Sequence, residues 1–230
     1  SLSEQIKIAS FLTAIDEKLQ ALKKKKKLLE DYKKSIIQKL FSQELRFKDD
    51  NGKIFPDWEF KSGNLVFETV TDKEHNSDLP VLAITQEHGA IPRNLIEYNI
   101  SVTDKSIESY KVVQVGDFII SLRSFQGGIE YSNYKGICSP AYIILRPCVD
   151  IDRAFFKYFF KTRDYINTLN KTLEGIRDGK MISYKNFSEV KLPFPSKKEQ
   201  IKIADFISSI DDKINYSKIH IDKMEAWKKG

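Results

Sequence analysis

"SEQIKIASFLTAIDEKL" (residues 3–19) and "KEQIKIADFISSIDDKI" (residues 198–214) stand near opposite ends of one 230-residue chain. At a constant offset, Glu4-Gln5-Ile6-Lys7-Ile8-Ala9 matches Glu199-Gln200-Ile201-Lys202-Ile203-Ala204 letter for letter. Phe11, Ile15, Asp16 and Lys18 then match Phe206, Ile210, Asp211 and Lys213, and Tyr32-Lys33-Lys34 faces Trp227-Lys228-Lys229. The copies lie far outside the ~20–50-residue period of solenoids and propellers, so a large module is repeated, not a small unit.

Each copy carries an apolar stripe. Leu12, Ile15, Leu19, Leu22, Leu29, Ile36 and Leu40 recur at alternating steps of three and four, with Lys26 and Lys33 as polar interruptions. That spacing is a coiled-coil seam. No Gly or Pro occurs before Gly52, so the spacing predicts one helix over residues 3–42, roughly 60 Å long at ~1.5 Å per residue. Ile203, Ile207, Ile210, Ile214, Ile221 and Met224 form the second stripe. Two matching stripes are natural partners, and the expected arrangement is an antiparallel pair burying Leu12, Ile15, Leu19 and Leu22 against Ile207, Ile210, Ile214 and Ile221. The lysine run at residues 23–27 is most simply a solvated helix face.

Between the stripes the texture changes. "DDNGKIFP" (residues 49–56) is a turn-rich break and marks a boundary. Short apolar runs at residues 65–69, 81–85, 112–115, 117–122 and 141–145 read as strands of a mixed or antiparallel sheet. Residues 152–173, with "AFFKYFF" and no Gly or Pro, read as one helix, and "VKLPFP" (residues 190–195) as a last strand. The expected fold is therefore α+β: a sheet domain at 49–195 flanked by long helices at 1–48 and 196–230.

Bulk composition narrows the class. A hydrophobic fraction of 41% with 12% aromatic residues describes an ordered protein, and no apolar run approaches the ~20 residues of a membrane span. With no signal peptide, the chain reads as cytoplasmic, and its opening on Ser1 implies processing or trimming. The net charge is +6, yet residues 56–195 hold 17 basic and 18 acidic side chains, so the excess sits on the terminal segments. Cys138 and Cys148 fit no metal spacing, and His75, His88 and His220 are scattered. No metal or cofactor is expected.

Nor does an active site assemble. Gly-rich phosphate loops, HExxH and GxSxG are absent. "SPAY" (residues 139–142) is similar to the Asn/Asp-Pro-Pro-aromatic box of adenine methyltransferases, but Ser139 replaces the amine-holding residue. Glu189 and Lys191 with Asp178 could imitate a nuclease set, but Val190 and Leu192 alternate as in a strand. The chain is read as a binder, not an enzyme.

Taken together, the repeat line, "YKVVQVGDFIISLRSFQGGI" (residues 110–129), "GICSPAYIILRP" (136–147) and "EGIRDGKMISYKNFSEVKLPFPS" (174–196) closely resemble the DNA-specificity subunit of type I restriction–modification systems. The resemblance spans essentially the whole chain. It implies a target-recognition domain followed by a conserved long helix, double-stranded DNA as ligand, methyltransferase subunits clasping the chain, and restriction subunits joining through them. In that family two such halves recognise a bipartite site. This chain departs from the full pattern: it has one recognition domain between two helix segments, and Ser1 stands where Ser196 stands after its strand. A first recognition domain is therefore missing from the sequence, and a homodimer of identical halves could supply a second one.

Base reading needs fork-like polar side chains on loops, with basic or backbone donors fixing register on phosphates. Three segments qualify. "TQEHGAIPRN" (85–94) offers Gln86, Arg93 and Asn94, with His88 beside them, and "RSFQGG" (123–128) offers Arg123 and Gln126. "GIRDGKMISYKN" (175–186) concentrates Arg177, Lys180, Ser183, Tyr184 and Lys185. Arg123 is expected to read a base and Arg177 to clamp a phosphate. The alternative is a coiled-coil adaptor whose near-neutral middle domain binds protein instead of DNA.

Overall fold

The computed structural model describes residues 1–75, 78–96, 107–172 and 182–229. In chain order its elements are α1 (Leu2–Phe41), β1 (Glu59–Ser62), β2 (Phe67–Val70), β3 (Leu82–Thr85), β4 (Gly89–Pro92), β5 (Lys111–Val113), β6 (Phe118–Ile120), the single turn α2 (Ser124–Gly127), β7 (Glu130–Tyr131), β8 (Gly136–Cys138), β9 (Ile143–Pro147), α3 (Arg153–Phe159), α4 (Arg163–Lys171), α5 (Tyr184–Glu189), β10 (Lys191–Phe194) and α6 (Lys197–Lys229). Two units result, Ser1–Arg46 with Lys202–Gly230, and Phe47–Ile201.

In the first unit, Ser1 starts α1 with a capping box: its hydroxyl accepts the Glu4 N–H while the Glu4 carboxylate returns to the Ser1 amine. The two long helices are antiparallel. Lys33 reaches Asp211 at 2.5 Å, Lys23 reaches Glu225 at 2.5 Å, and Lys228 reaches Asp16 at 2.5 Å, so partners descend along α6 as α1 ascends. The first and last of these are one pair seen twice, because Asp211 and Lys228 are the repeat equivalents of Asp16 and Lys33. Half-exposed ion pairs contribute about 0–1 kcal/mol each. Burial outweighs them: Leu19, Ile36, Leu40, Ile203, Ile207, Ile210 and Ile221 are all buried, each worth about 1.5–3 kcal/mol.

This register corrects the expected seam. Ile207 and Ile210 stand level with the second half of α1, near Ile36, and not with Leu12. Leu12 itself is 41% exposed, and Ile15, Leu22 and Ile214 are only half-buried. In the register of the ion pairs Lys228 stands at Asp16, and Trp227 lies edge-on to Phe11 at 5.8 Å, so Ile207 and Ile210 fall far from Leu12.

The second unit is built from antiparallel ladders. β2–β9–β6–β7 form a four-stranded sheet, and β1–β10, β3–β4 and β5–β8 form two-stranded ones. Parallel pairing among the described residues is confined to isolated bridges, Val81 with Ile137 and Ala90 with Ser132. The core is aromatic. Phe67 of β2 packs its ring 5.3 Å from Phe118 of β6, 5.3 Å from Phe156 of α3, 5.6 Å from Phe160 and 5.9 Å from Phe187 of α5. Such pairs add about 0.5–1.5 kcal/mol beyond area burial. Asp117, fully buried, accepts two bonds from Arg146 of β9, at 2.9 Å from Nε and 2.7 Å from Nη2, and one from the Gln114 N–H.

The helix expected over 152–173 is two helices. α3 ends at Phe159, and Thr162 then caps α4 by accepting the Tyr165 N–H while donating to the Phe159 carbonyl. A threonine cap with Asp164 in the first turn is a local restart signal that the apolar block concealed. The sequence also hid β1, β4, β7 and β8, short strands that no long apolar run marks.

The burial pattern sets a test. Ile207→Ala should destabilise the chain by about 2–5 kcal/mol, as for other large-to-small core changes. Leu12→Ala should leave the melting temperature nearly unchanged. Equal losses for the two would contradict the register.

Candidate nucleic-acid interface

Two turns of the second unit are fastened to each other. β3 and β4 pair Thr85 with Gly89, leaving Gln86, Glu87 and His88 as the hairpin loop. The Thr85 hydroxyl accepts the His88 N–H at 3.0 Å and donates to the Gly89 carbonyl at 3.2 Å, and Gly89 takes the left-handed φ of 69° that such a loop needs at its end. After β6, the Ser121 N–H donates to Ser124 Oγ at 2.8 Å and the Arg123 N–H to Ser121 Oγ at 3.2 Å, which starts α2. Gln86 Nε2 donates to the Arg123 carbonyl at 3.3 Å, and its side chain lies against Gly127, where a Cβ would stand 2.5 Å from Gln86 Cδ. α2 is closed by Gly128, with φ 80° and the Phe160 carbonyl 2.0 Å from any added Cβ. No other residue fits there.

Tyr142 stands in a charged setting. Burial pushes the Tyr142 hydroxyl up from its ordinary pKa, the Cys138 thiol adds to this, and the guanidinium groups of Arg93 and Arg123 pull the other way. Lys111 Nζ donates to the Tyr142 carbonyl at 2.6 Å, and burial lowers the pKa of its ammonium. The Arg123 guanidinium makes no hydrogen bond or ion pair among the described residues, and Arg123 is exposed. An exposed guanidinium on a braced turn can grip a guanine edge or a phosphate.

Gln86 and Arg123 are thus brought together, and Gln126 and Asn94 are exposed on the adjoining turns. Ser183, Tyr184 and Lys185 belong to α5 instead. Ser183 caps that helix in a capping box with Asn186, the Tyr184 hydroxyl donates to the Phe67 carbonyl at 3.0 Å, and Lys185 is exposed. Arg177 and Lys180 lie outside the described residues, as does Asp178. Tyr142 and Lys111 were not among the candidates read from sequence. The signal for Tyr142 was present in "SPAY", where Ser139 Oγ accepts the Ala141 N–H at 3.3 Å in a turn that presents the ring. Lys191 of the nuclease-like set donates to Ser62 Oγ at 2.9 Å. Among the described residues no group of three or more His, Cys, Asp or Glu could hold a metal, and no helix is long and apolar enough to cross a membrane.

A family model, the type I restriction modification DNA specificity domain, matches residues 58–225. The chain belongs to this family. It is 27% identical over 243 residues to the putative type I restriction enzyme MjaX specificity subunit of Methanocaldococcus jannaschii, a match covering 99% of this chain and 55% of that protein. The MjaVIII specificity subunit of the same organism is 25% identical over 247 residues, covering 99% and 58%. The fold is that of the HsdS subunit from Thermoanaerobacter tengcongensis, with a TM-score of 0.58 at 19% identity over 96% of this chain and 52% of that one. It is likewise that of the S subunit from M. genitalium, with a TM-score of 0.58 at 16% identity over 97% and 58%. This specificity-domain chain spans little more than half the length of these relatives.

Burial around the interface is testable through the two thiols. Cys138 is buried, and burial pushes its pKa up to about 12, whereas Cys148 is exposed. At pH 8 iodoacetamide should label Cys148 and spare Cys138 until denaturant is added, read by peptide mass spectrometry. Labelling of both at equal rates would contradict this packing.

Proposed function

We propose that this chain is a sequence-reading half of a type I specificity subunit, which binds double-stranded DNA and does no chemistry itself. The observation that carries this reading is the exposed Arg123 guanidinium on a turn braced by Gln86, within a chain of the DNA specificity family. In this reading residues 49–195 are the recognition domain, and the flanking helices, residues 1–48 and 196–230, are the conserved spacers. Arg123, Gln86 and Gln126 face base edges. Arg93, Asn94, Lys111 and the basic residues of the 175–186 segment, Arg177, Lys180 and Lys185 among them, hold backbone phosphates.

The partners follow from the family. One M. jannaschii relative is named a type I restriction enzyme specificity subunit, and one structural neighbour, with a TM-score of 0.52, is described as showing complex assembly of the type I R-M system. This chain accordingly engages methyltransferase subunits and, through them, restriction subunits, in the cytoplasm. The near-neutral recognition domain favoured a protein adaptor on charge alone. Family membership favours DNA.

A second copy of this chain is the further partner. Ile8 and Leu12 in the first repeat are 54% and 41% exposed, while their equivalents Ile203 and Ile207 are 2% and 0% exposed. One sequence thus sits in two environments, and an equivalent cover for the first repeat would equalise them. A two-fold dimer of such halves would read an inverted repeat, since protein symmetry imposes site symmetry. Light scattering at tens of micromolar should give about twice the chain mass of 26.7 kDa. A strictly monomeric mass would contradict the dimer.

Arg123→Ala tests the interface itself. In titrations with methyltransferase subunits on a selected duplex and its single-base variants, it should cost ~1–3 kcal/mol and relax choice at one position. Equal loss on every duplex would reassign Arg123 to the DNA backbone, and no loss would place the reading surface elsewhere.

A further inference from the structure

α2 is too short to hold itself. A single helical turn fixes several dihedrals for very few hydrogen bonds, so its geometry has to come from its surroundings. Its start is held by Ser121 and Ser124, and the Arg123 carbonyl by Gln86. Its far end is the Gly127 carbonyl, which no further turn of helix can satisfy. That carbonyl accepts from Lys161 Nζ at 2.9 Å. The same ammonium pairs with Glu130 Oε1 at 2.6 Å.

The peculiarity lies in Glu130. Its side chain is 2% exposed, and its second oxygen, Oε2, has no hydrogen-bond partner among the described residues. Burying a carboxylate is costly, and a half-satisfied one more so. An apolar residue of similar size would serve packing better at this point. What the carboxylate does supply is a fixed anchor for a lysine whose own side chain is 34% exposed and would otherwise sample many rotamers. Lys161 also occupies the break between α3 and α4, beside Phe160, whose carbonyl abuts Gly128. The break, the glycine and the buried pair all meet the same end of the turn.

We propose that Lys161, held by Glu130, is a positioning residue that locks the end of α2 and thereby sets the base choice made by Arg123 and Gln126. The proposal rests on the reading of α2 as a base-reading turn. A guanidinium discriminates bases only if its fork arrives in plane with the base edge, and a turn free to rock at Gly127 would present it in many orientations. Preorganisation of this kind changes selectivity more than contact with the backbone does. A lysine that touched phosphate would act differently, adding affinity for all sequences and salt dependence.

The experiment uses the full chain with its methyltransferase subunits, and as probe the duplex that the wild type recovers from a random-sequence library, with its single-base variants. The variants are Lys161→Met, which keeps the stem and removes the charge; Lys161→Arg, which restores it; Glu130→Gln, which leaves the lysine unanchored; and Arg123→Ala. Amide exchange of residues 123–128 is measured on the DNA-free chain. Lys161→Met and Glu130→Gln should speed that exchange and cut discrimination at the Arg123-dependent position by about tenfold, the scale of a good bidentate contact. The salt slope should not change, Lys161→Arg should recover part of the discrimination, and Lys161→Met should add nothing in the Arg123→Ala background. Glu130→Gln carries the test should Lys161→Met fail to fold. A uniform loss on all duplexes with the salt slope reduced by about one would make Lys161 a phosphate contact and overturn the proposal. Unchanged exchange, or selectivity lost in Arg123→Ala but retained in both Lys161→Met and Glu130→Gln, would overturn it alone. Selectivity untouched by Arg123→Ala would overturn the base-reading role of the turn, and the proposal with it.

Discussion

Across the antiparallel helix pair, Lys33 reaches Asp211 and Lys228 reaches Asp16, the same contact written once in each repeat. Reciprocity of this kind requires an approximate two-fold between the helices. The ion pairs are too exposed to supply much stability, but they mark the register in which Ile36, Leu40, Ile207 and Ile210 are buried. A shift by one helical turn would part both pairs together. The repeat in the sequence is thus the cause of the architecture: two copies of one stripe, each the best partner of the other.

The two-fold is local. Reciprocal ion pairs do not make equivalent residues alike: Leu19 is buried where Ile214 is half-buried, and Ile8 and Leu12 are exposed where Ile203 and Ile207 are buried.

Much of this was legible without coordinates. The helix read over residues 3–42 is α1, Leu2–Phe41, because forty residues without a break show many periods of one stripe. The order of ladders in the middle was not visible, because β5, β6, β7 and β8 are two or three residues long and no alternation can be read from so few. The seam was misaligned for a physical reason: matching stripes show that two helices pair, but a stripe of repeating period fits several registers, and only contacts such as Lys33 with Asp211 reveal the one adopted. Arg123 and Gln86 were picked out by residue type and loop placement, and the fold joins them through the Gln86 amide and the Arg123 carbonyl. Tyr142 lay within "SPAY" but was not chosen, because a lone tyrosine in a short turn gives no sign of what packs around it. Ser183 and Tyr184 show the converse: polar residues on a motif that turn out to cap a helix and bind a core carbonyl. A sequence shows what a side chain could do, and only packing shows what it is already doing.

The central claim is that this chain chooses the DNA sequence at which a type I complex acts. It is tested most directly by expressing the chain with its methyltransferase subunits in a methylation-deficient host and mapping the methylated positions genome-wide. Methylation confined to one recurring sequence, altered at a defined base when Arg123 is replaced by alanine, is the result this account predicts. Methylation scattered without a shared sequence, or a recurring sequence unaffected by any change at Gln86, Arg93 or Arg123, would contradict it.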